Sequence, residues 1–175
     1  MARLRKAVSY RNLERPYTRK SKFRKANFVR ASPPIKIVKF EMGNTKEKDQ
    51  FNTIIRLNCA ESMQIRQNAI ESARLVANRH LEANIPKKDF FFMIKVYPHH
   101  ILRMNPLASG AGADRMSTGM KKSFGKSIGV AAQVKKGQCL FELRTNKEKI
   151  EHAKKAIEKC RGKLPCVTKI IVKQK

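Results

Sequence analysis

Residues 130–160 read VAAQVKKGQCLFELRTNKEKIEHAKKAIEKC. The apolar repeat changes length part-way along. Val130, Ala132 and Val134 alternate with other residues, which is the two-residue repeat of a strand. Lys136-Gly137 is a turn signal. Cys139 to Arg144 is expected to pair back on the preceding strand as a hairpin. From about Lys147 to Cys160 the period becomes helical, with Ile150, Ala153, Ala156 or Ile157, and Cys160 as the buried stripe. Thr145-Asn146-Lys147-Glu148 has the form of a capping box, in which the Thr145 hydroxyl and the Glu148 carboxylate would satisfy free N–H groups at the helix start. Gly162 suits the position just past the helix, and Val167 to Val172 reads as the last strand.

The first half repeats this order. Ile35 to Met42 (IKIVKFEM) is rich in strand formers and runs into the turn signal Gly43-Asn44. Phe51, Thr53, Ile55 and Leu57 alternate along a second strand. Between Ser62 and Asn84 the spacing turns helical, with Ile65, Ala69, Ala73, Val76 or Ala77, and His80 or Leu81 on one face. Pro86 ends that helix. Phe90 to Tyr97 is a third strand, with Phe92, Ile94 and Val96 on one side, and Pro98 closes it. Strand, strand, helix, strand therefore occurs twice. The expected class is α+β, with mixed or antiparallel sheets and two packing helices.

The 175 residues suffice for one domain with an extension. Their formal charge is +27, from 40 basic and 13 acidic side chains. So basic a chain calls for a polyanionic partner. No stretch approaches the ~20 apolar residues of a membrane helix, and the start lacks the apolar core of a secretory signal. Nucleic acid is the expected partner and a membrane is not. The charge is uneven. Residues 1–30 hold Arg3, Arg5, Lys6, Arg11, Arg15, Arg19, Lys20, Lys22, Arg24, Lys25 and Arg30 against Glu14 alone, a net of +10. Residues 121–175 carry +12 and the middle +5. The first segment has no clean period, and Pro33-Pro34 ends it. Residues 1–34 read as a basic extension whose cations meet phosphates, and whose Tyr10, Tyr17, Phe23 and Phe28 stack on bases or fill gaps. Residues 35–175 read as a single domain.

Cys59, Cys139, Cys160 and Cys166 form no C-x-x-C pair, and buried reduced thiols are expected rather than a metal site. Residues 99–129, HHILRMNPLASGAGADRMSTGMKKSFGKSIG, hold five of the eight glycines. Gly125-Lys126-Ser127 ends like a phosphate-binding loop, but the required earlier glycine is replaced by Met120 and Gly119 falls one residue too early. Arg115 stands where a dinucleotide fingerprint needs its third glycine. His99, His100 and Asp114 are accompanied by no nucleophile elbow or spaced carboxylate pair. Adjacent strand histidines point to opposite faces, so they serve as packed or RNA-contacting imidazoles rather than joint ligands. No enzyme, cofactor or metal is expected. What remains is a long basic loop at about residues 103–128, carrying Arg103, Arg115, Lys121, Lys122 and Lys126. Its glycines let backbone N–H groups approach phosphates.

Leu102 to Gly129 of this loop resembles the signature of a universal large-subunit ribosomal protein family, "L ten e" in archaea and eukaryotes and "L sixteen" in bacteria. IKIVKFEMGN (Ile35–Asn44), QIRQNAIESARLVANRHL (Gln64–Leu81), VYP (Val96–Pro98) and GVAAQVKKGQCLFELR (Gly129–Arg144) agree with it. The helix segment resembles the archaeal form. The resemblance implies an α/β-hammerhead type of α+β fold and a cytoplasmic, ribosomal location. The function it implies is that of a structural constituent of the large subunit. Such a protein binds large-subunit rRNA, touches neighbouring ribosomal proteins, and helps position A- and P-site tRNA near the peptidyl-transferase centre without catalysis of its own. The rRNA contacts would be the extension cations together with Lys121, Lys122 and Lys126. The tRNA-proximal loop would comprise Arg103, Asn105, Ser109, Gly110, Gly112, Asp114, Arg115, Met116 and Gly119.

Overall fold

In the computed structural model, eight strands form two antiparallel sheets backed by two long helices. The structure describes residues 5–19, 21–27, 29, 32–105, 110–117 and 119–174. The strands are β1 (Glu41–Gly43), β2 (Thr53–Cys59), β3 (Met63–Arg66), β4 (Phe90–Ile94), β5 (His100–Met104), β6 (Lys126–Val134), β7 (Cys139–Thr145) and β8 (Thr168–Gln174). The helices are α1 (Gln67–Asn84), the short α2 (Ala113–Met116) and α3 (Ile150–Arg161). One sheet has the order β1-β4-β7-β2-β8 and the other β3-β6-β5. The α+β class with two packing helices is therefore as expected.

The strand pairing departs from the sequence reading. β6 and β7 do not form a hairpin, because β6 lies between β3 and β5 while β7 lies between β4 and β2. The four residues between them carry the chain from one sheet to the other. Gly137 makes this corner at φ +84°, and its N–H donates to the Cys59 carbonyl at 2.7 Å. The chain makes the same change between β2 and β3. Leu57 pairs with Phe141, and Met63 with Val134. Two bent strand pairs thus run antiparallel through a shared corner. The two halves of the chain are joined by each other's strands rather than standing side by side.

Other boundaries shift for local reasons. Residues 63–66, expected in the first helix, form β3 because Gln64 and Ile65 pair with Gln133 and Ala132. Residues 35–39 are not strand, and β1 is short. The expected capping box does not form. The Thr145 hydroxyl donates to the Asp89 carbonyl at 3.1 Å, and no side chain caps α3. A 3-10 turn at Lys147–Lys149 precedes α3 instead. Gly162 keeps right-handed helical angles, so it ends α3 without the left-handed turn.

α1 buries Ile70, Ala73, Ala77 and Leu81, a regular three-and-four spacing, and α3 buries Ala153, Ala156, Ile157 and Cys160. Alanine on both faces lets the helices approach closely, and the Cys160 thiol lies 3.5 Å from the Ala73 carbonyl. Under them the first sheet supplies Ile55, Leu57, Phe90, Phe92, Phe141 and Leu143, all fully buried. Phe92 and Phe141 stack at 5.6 Å. Its opposite face is polar. Glu142, 1% exposed, accepts hydrogen bonds from Arg56 Nε at 2.9 Å and Arg144 Nε at 3.0 Å, with Lys95 Nζ at 3.8 Å. Burial raises the Glu142 pKa, but the Arg144 hydrogen bond, the Lys95 charge and Arg56 outweigh it and hold the carboxyl below its ordinary value.

Candidate nucleic-acid interface

The second sheet carries both basic segments. The extension begins at its β3 edge, where the Gln64 N–H donates to the Arg11 carbonyl at 2.9 Å. Two glutamines that face each other on β3 and β6 then pin it. Gln64 Nε2 donates to the Asn12 carbonyl at 2.5 Å, and Gln133 Nε2 to the Glu14 carbonyl at 2.6 Å and to Gln64 Oε1 at 3.1 Å. Further along, Tyr17 meets β5, its ring edge-on to His100 at 6.1 Å. Val29, 5% exposed, packs on Ile101 and Val130. Neighbouring ladder pairs face opposite sides. The extension therefore crosses one face of the sheet and passes the free edge of β5.

An extended segment must satisfy its own backbone groups, and these glutamines do so. The cations are left outward. Arg5, Lys6, Arg11, Arg15, Arg19, Lys22 and Lys25 are all exposed. Arg3, Lys20 and Arg30 lie outside the described residues, as does Phe28, and the side chain of Arg24 does too. The aromatic residues divide. Tyr17 is packed, Tyr10 lies under the Arg66 guanidinium at 5.7 Å, and Phe23 is 77% exposed. Tyr17 and Val29 thus pack against the second sheet.

Arg103 ties the extension to the loop. Its guanidinium carbon lies 3.8 Å from the Tyr17 ring centroid and 3.3 Å from that of Phe124, and the two rings meet edge-on at 5.7 Å. Its Nη1 is enclosed and has no hydrogen-bond partner among the described residues. Arg103, expected in the tRNA-proximal loop, is half-buried and lies against two aromatic faces. A bulge between Leu102 and Arg103 turns the side chain, since Leu102 pairs with Gly129 but Arg103 with Ser127.

The loop base is closed by Met104 opposite Lys126 and by Asn105 Nδ2 donating to the Gly119 carbonyl at 3.3 Å. Gly125 is required there. A Cβ at this position would lie 2.6 Å from the Met104 carbonyl carbon, and its φ is +78°. Gly110 and Gly112 turn the chain into α2. Arg115, Met116, Met120, Lys121 and Lys126 are exposed, with Met116 85% exposed. Ser109 lies outside the described residues, as do the side chains of Asp114 and Lys122.

The adjacent histidines divide as the alternation demands. His100 is buried, with Nδ1 3.3 Å from Gln133 Nε2, and burial is the main cause of its lowered pKa, with Glu14 opposing and Arg103 adding. His99 is exposed. Three cysteines are buried and Cys139 half-buried. Burial pushes the Cys160 thiol up to about 12, so it remains a protonated thiol.

The model of the family described as "Ribosomal protein L16p/L10e" matches residues 15–171, nearly the whole chain. The chain belongs to the ribosomal protein L16p/L10e family. Its similarity to curated members is close. It is 44% identical over 170 residues to "Large ribosomal subunit protein uL16" of Methanococcus maripaludis, covering 97% of this chain and 94% of that one. It is 42% identical to the protein of that name from Methanococcus aeolicus, with the same coverage. For the one from Staphylothermus marinus the figure is 42% over 158 residues, covering 90% and 86%. An L16p/L10e member works in translation, in the cytoplasmic ribosome, as a structural protein and not an enzyme. Among the described residues no helix is long and apolar enough to cross a membrane.

For an L16p/L10e chain, sequence reasoning located the basic segments but missed what holds them. Gln64, Gln133 and Phe124 drew no attention. The signal was present in part, since glutamine in the middle of an otherwise apolar strand needs a buried partner.

Proposed function

We propose that this protein is a constituent of the large ribosomal subunit that binds large-subunit rRNA and helps position A- and P-site tRNA near the peptidyl-transferase centre. Residues 1–34 serve as the rRNA-binding extension. Residues 35–175 form the domain that carries the loop. The exposed cations of the extension, with Lys121 and Lys126, neutralise phosphates and release counterions. Recognition rests on RNA shape and unpaired bases rather than on a sequence read in a groove. The loop of roughly residues 105–120 faces the tRNA acceptor arms, and its Arg115 and Met116 are exposed. Neighbouring ribosomal proteins complete its surroundings, and RNA performs the peptidyl transfer.

The observation that carries this reading is the Arg103 clamp. One guanidinium holds the extension and the loop base on the same strand, so two basic segments separated by some eighty residues meet one RNA surface. Filter binding of the full chain to protein-free large-subunit rRNA tests it. Deleting residues 1–30 should weaken binding and flatten its dependence on salt, each lost phosphate contact removing about one unit of log–log slope. Unchanged affinity and slope would refute the role given to the extension. Crosslinks from Arg115 to tRNA in reconstituted ribosomes test the loop, and their absence would count against a tRNA-facing position.

A further inference from the structure

The VYPHH stretch places three aromatic rings in a row beside a cavity. Tyr97 and His99 flank Pro98 between β4 and β5. The His99 N–H donates to the Tyr97 carbonyl at 3.1 Å across Pro98, which tightens the turn. The Tyr97 and His99 ring centroids lie 4.5 Å apart with their planes tilted by 45°. On its other side Tyr97 stacks on Phe40 at 5.4 Å and 20° between planes. The row runs from the core to the surface. Phe40 is half-buried against the core, Tyr97 is 45% exposed, and the His99 imidazole is exposed. An aromatic stack that begins in the core and ends on a bare ring is left open at its outer end.

The adjoining cavity has a volume of about 480 Å³ and is lined by Thr18, Ser32, Pro33, Tyr97, His99 and Ile101 among others. That is within the roughly 300–1,000 Å³ of small-ligand sites. Thr18 and Ser32 offer hydroxyls that can donate to or accept from the edge of a heterocycle. No acidic side chain lines it, while the exposed cations Arg19 and Lys36 adjoin the lining residues Thr18 and Ile35 in the chain. Flat rings, hydroxyls and nearby cations without acids match a nucleobase on its phosphate backbone. Pro33, Ile35, Ile101 and Val130 supply an apolar floor against which the face of a base can lie.

We propose that the Phe40–Tyr97–His99 stack is a nucleobase-binding site, where one unpaired base of rRNA continues the stack on His99 and reaches the Thr18 and Ser32 hydroxyls. This rests on the rRNA-binding function proposed above. Base stacking tolerates any base, since each has a π-face. The site would therefore fix a bulged or loop nucleotide by shape rather than by sequence.

The test is equilibrium binding of the full chain to protein-free large-subunit rRNA of Methanococcus maripaludis, with His99 varied because it is exposed and its loss leaves the core intact. His99→Ala should weaken binding about ten-fold, the size of one lost stack, with an unchanged salt slope because no phosphate contact is removed. His99→Phe should restore affinity and His99→Lys should not. A short oligouridylate should bind the wild type more tightly than the same backbone with abasic sites, and His99→Ala should erase the difference. Unchanged affinity in His99→Ala overturns the site, as does rescue by Lys rather than Phe. Normal RNA binding with impaired assembly into ribosomes would assign the stack to a protein partner and overturn it too. Failure of the wild type to bind the rRNA would instead sink the underlying function, and the site with it.

Discussion

Replacing Arg103 with alanine removes a β5 side chain that meets both the extension and the loop base. A cation over an aromatic ring contributes about 0.5–1 kcal/mol when exposed and about 2 when desolvated. Arg103 is half-buried, with rings at 3.8 and 3.3 Å and Nη1 enclosed. An intermediate value of about 1 kcal/mol per ring gives about 2 kcal/mol for Arg103→Ala. In a chain of this length that lowers Tm by roughly 4–8 °C. The loss should be local in origin. Hydrogen exchange should speed up around residues 15–19 and 122–127 and stay slow in β7. A double-mutant cycle with Tyr17→Leu should return a coupling of about 1 kcal/mol. Arg103→Lys should recover little, because an ammonium cannot lie flat between two rings. Equal melting of Arg103→Ala and wild type, with no coupling to Tyr17, would refute the clamp.

Glu142→Ala leaves Arg56, Arg144 and Lys95 around an empty position. Breaking a buried pair costs about 3–5 kcal/mol, and partial exposure of Arg56 and Lys95 reduces this to about 2 kcal/mol in urea denaturation. Because the folded Glu142 pKa is lowered, its contribution is complete above the ordinary carboxylate range and fades as pH falls through the folded value. The stability gap between wild type and Glu142→Gln should therefore close in acid, and a gap independent of pH would contradict the charge network. Gly125→Ala should cost about 1–3 kcal/mol through its positive φ and the close Met104 carbonyl, read by thermal melting; a neutral result would mean that the loop base relaxes freely. Deleting residues 109–118 should leave the far-ultraviolet spectrum and the cooperative melt intact while impairing translation by reconstituted ribosomes. Unfolding on deletion would make the loop structural.

Much of the fold was legible because burial leaves a local period. In α1 the spacing found Ala73, Ala77 and Leu81 but not Ile70, while Ala69 is half-buried and Ile65 lies in β3; the α3 stripe and the alternation in β2 follow from spacing. The basic segments were legible because charge is a sum over residues and needs no geometry. The pinned extension was not legible. Nothing adjacent in the chain marks Gln64 and Gln133 as holding the backbone of residues 11–14, since both partners lie over fifty residues away. The nucleobase site shows the same limit. Pro98 marked the end of a strand there, but folding alone brought Phe40 against Tyr97 and the Tyr97 ring against His99.

By itself the sequence determined the α+β class, the positions of most strands and helices, and the two basic regions. A side chain's preference for inside or outside is expressed within a few residues of chain. Tertiary structure decided the partners. β6 and β7 follow one another across a short turn as hairpin strands would, yet β6 pairs with β3 and β5 while β7 pairs with β2 and β4. A strand edge offers the same N–H and C=O groups to any neighbour, so register and burial across the whole chain choose among them. Thr145 illustrates this in one residue: a capping hydroxyl by its neighbours, it bonds Asp89 because β4 lies closer than the helix end. Arg103 illustrates it again: its chain neighbours mark only a basic loop residue, and folding alone brings Tyr17 and Phe124 against its guanidinium.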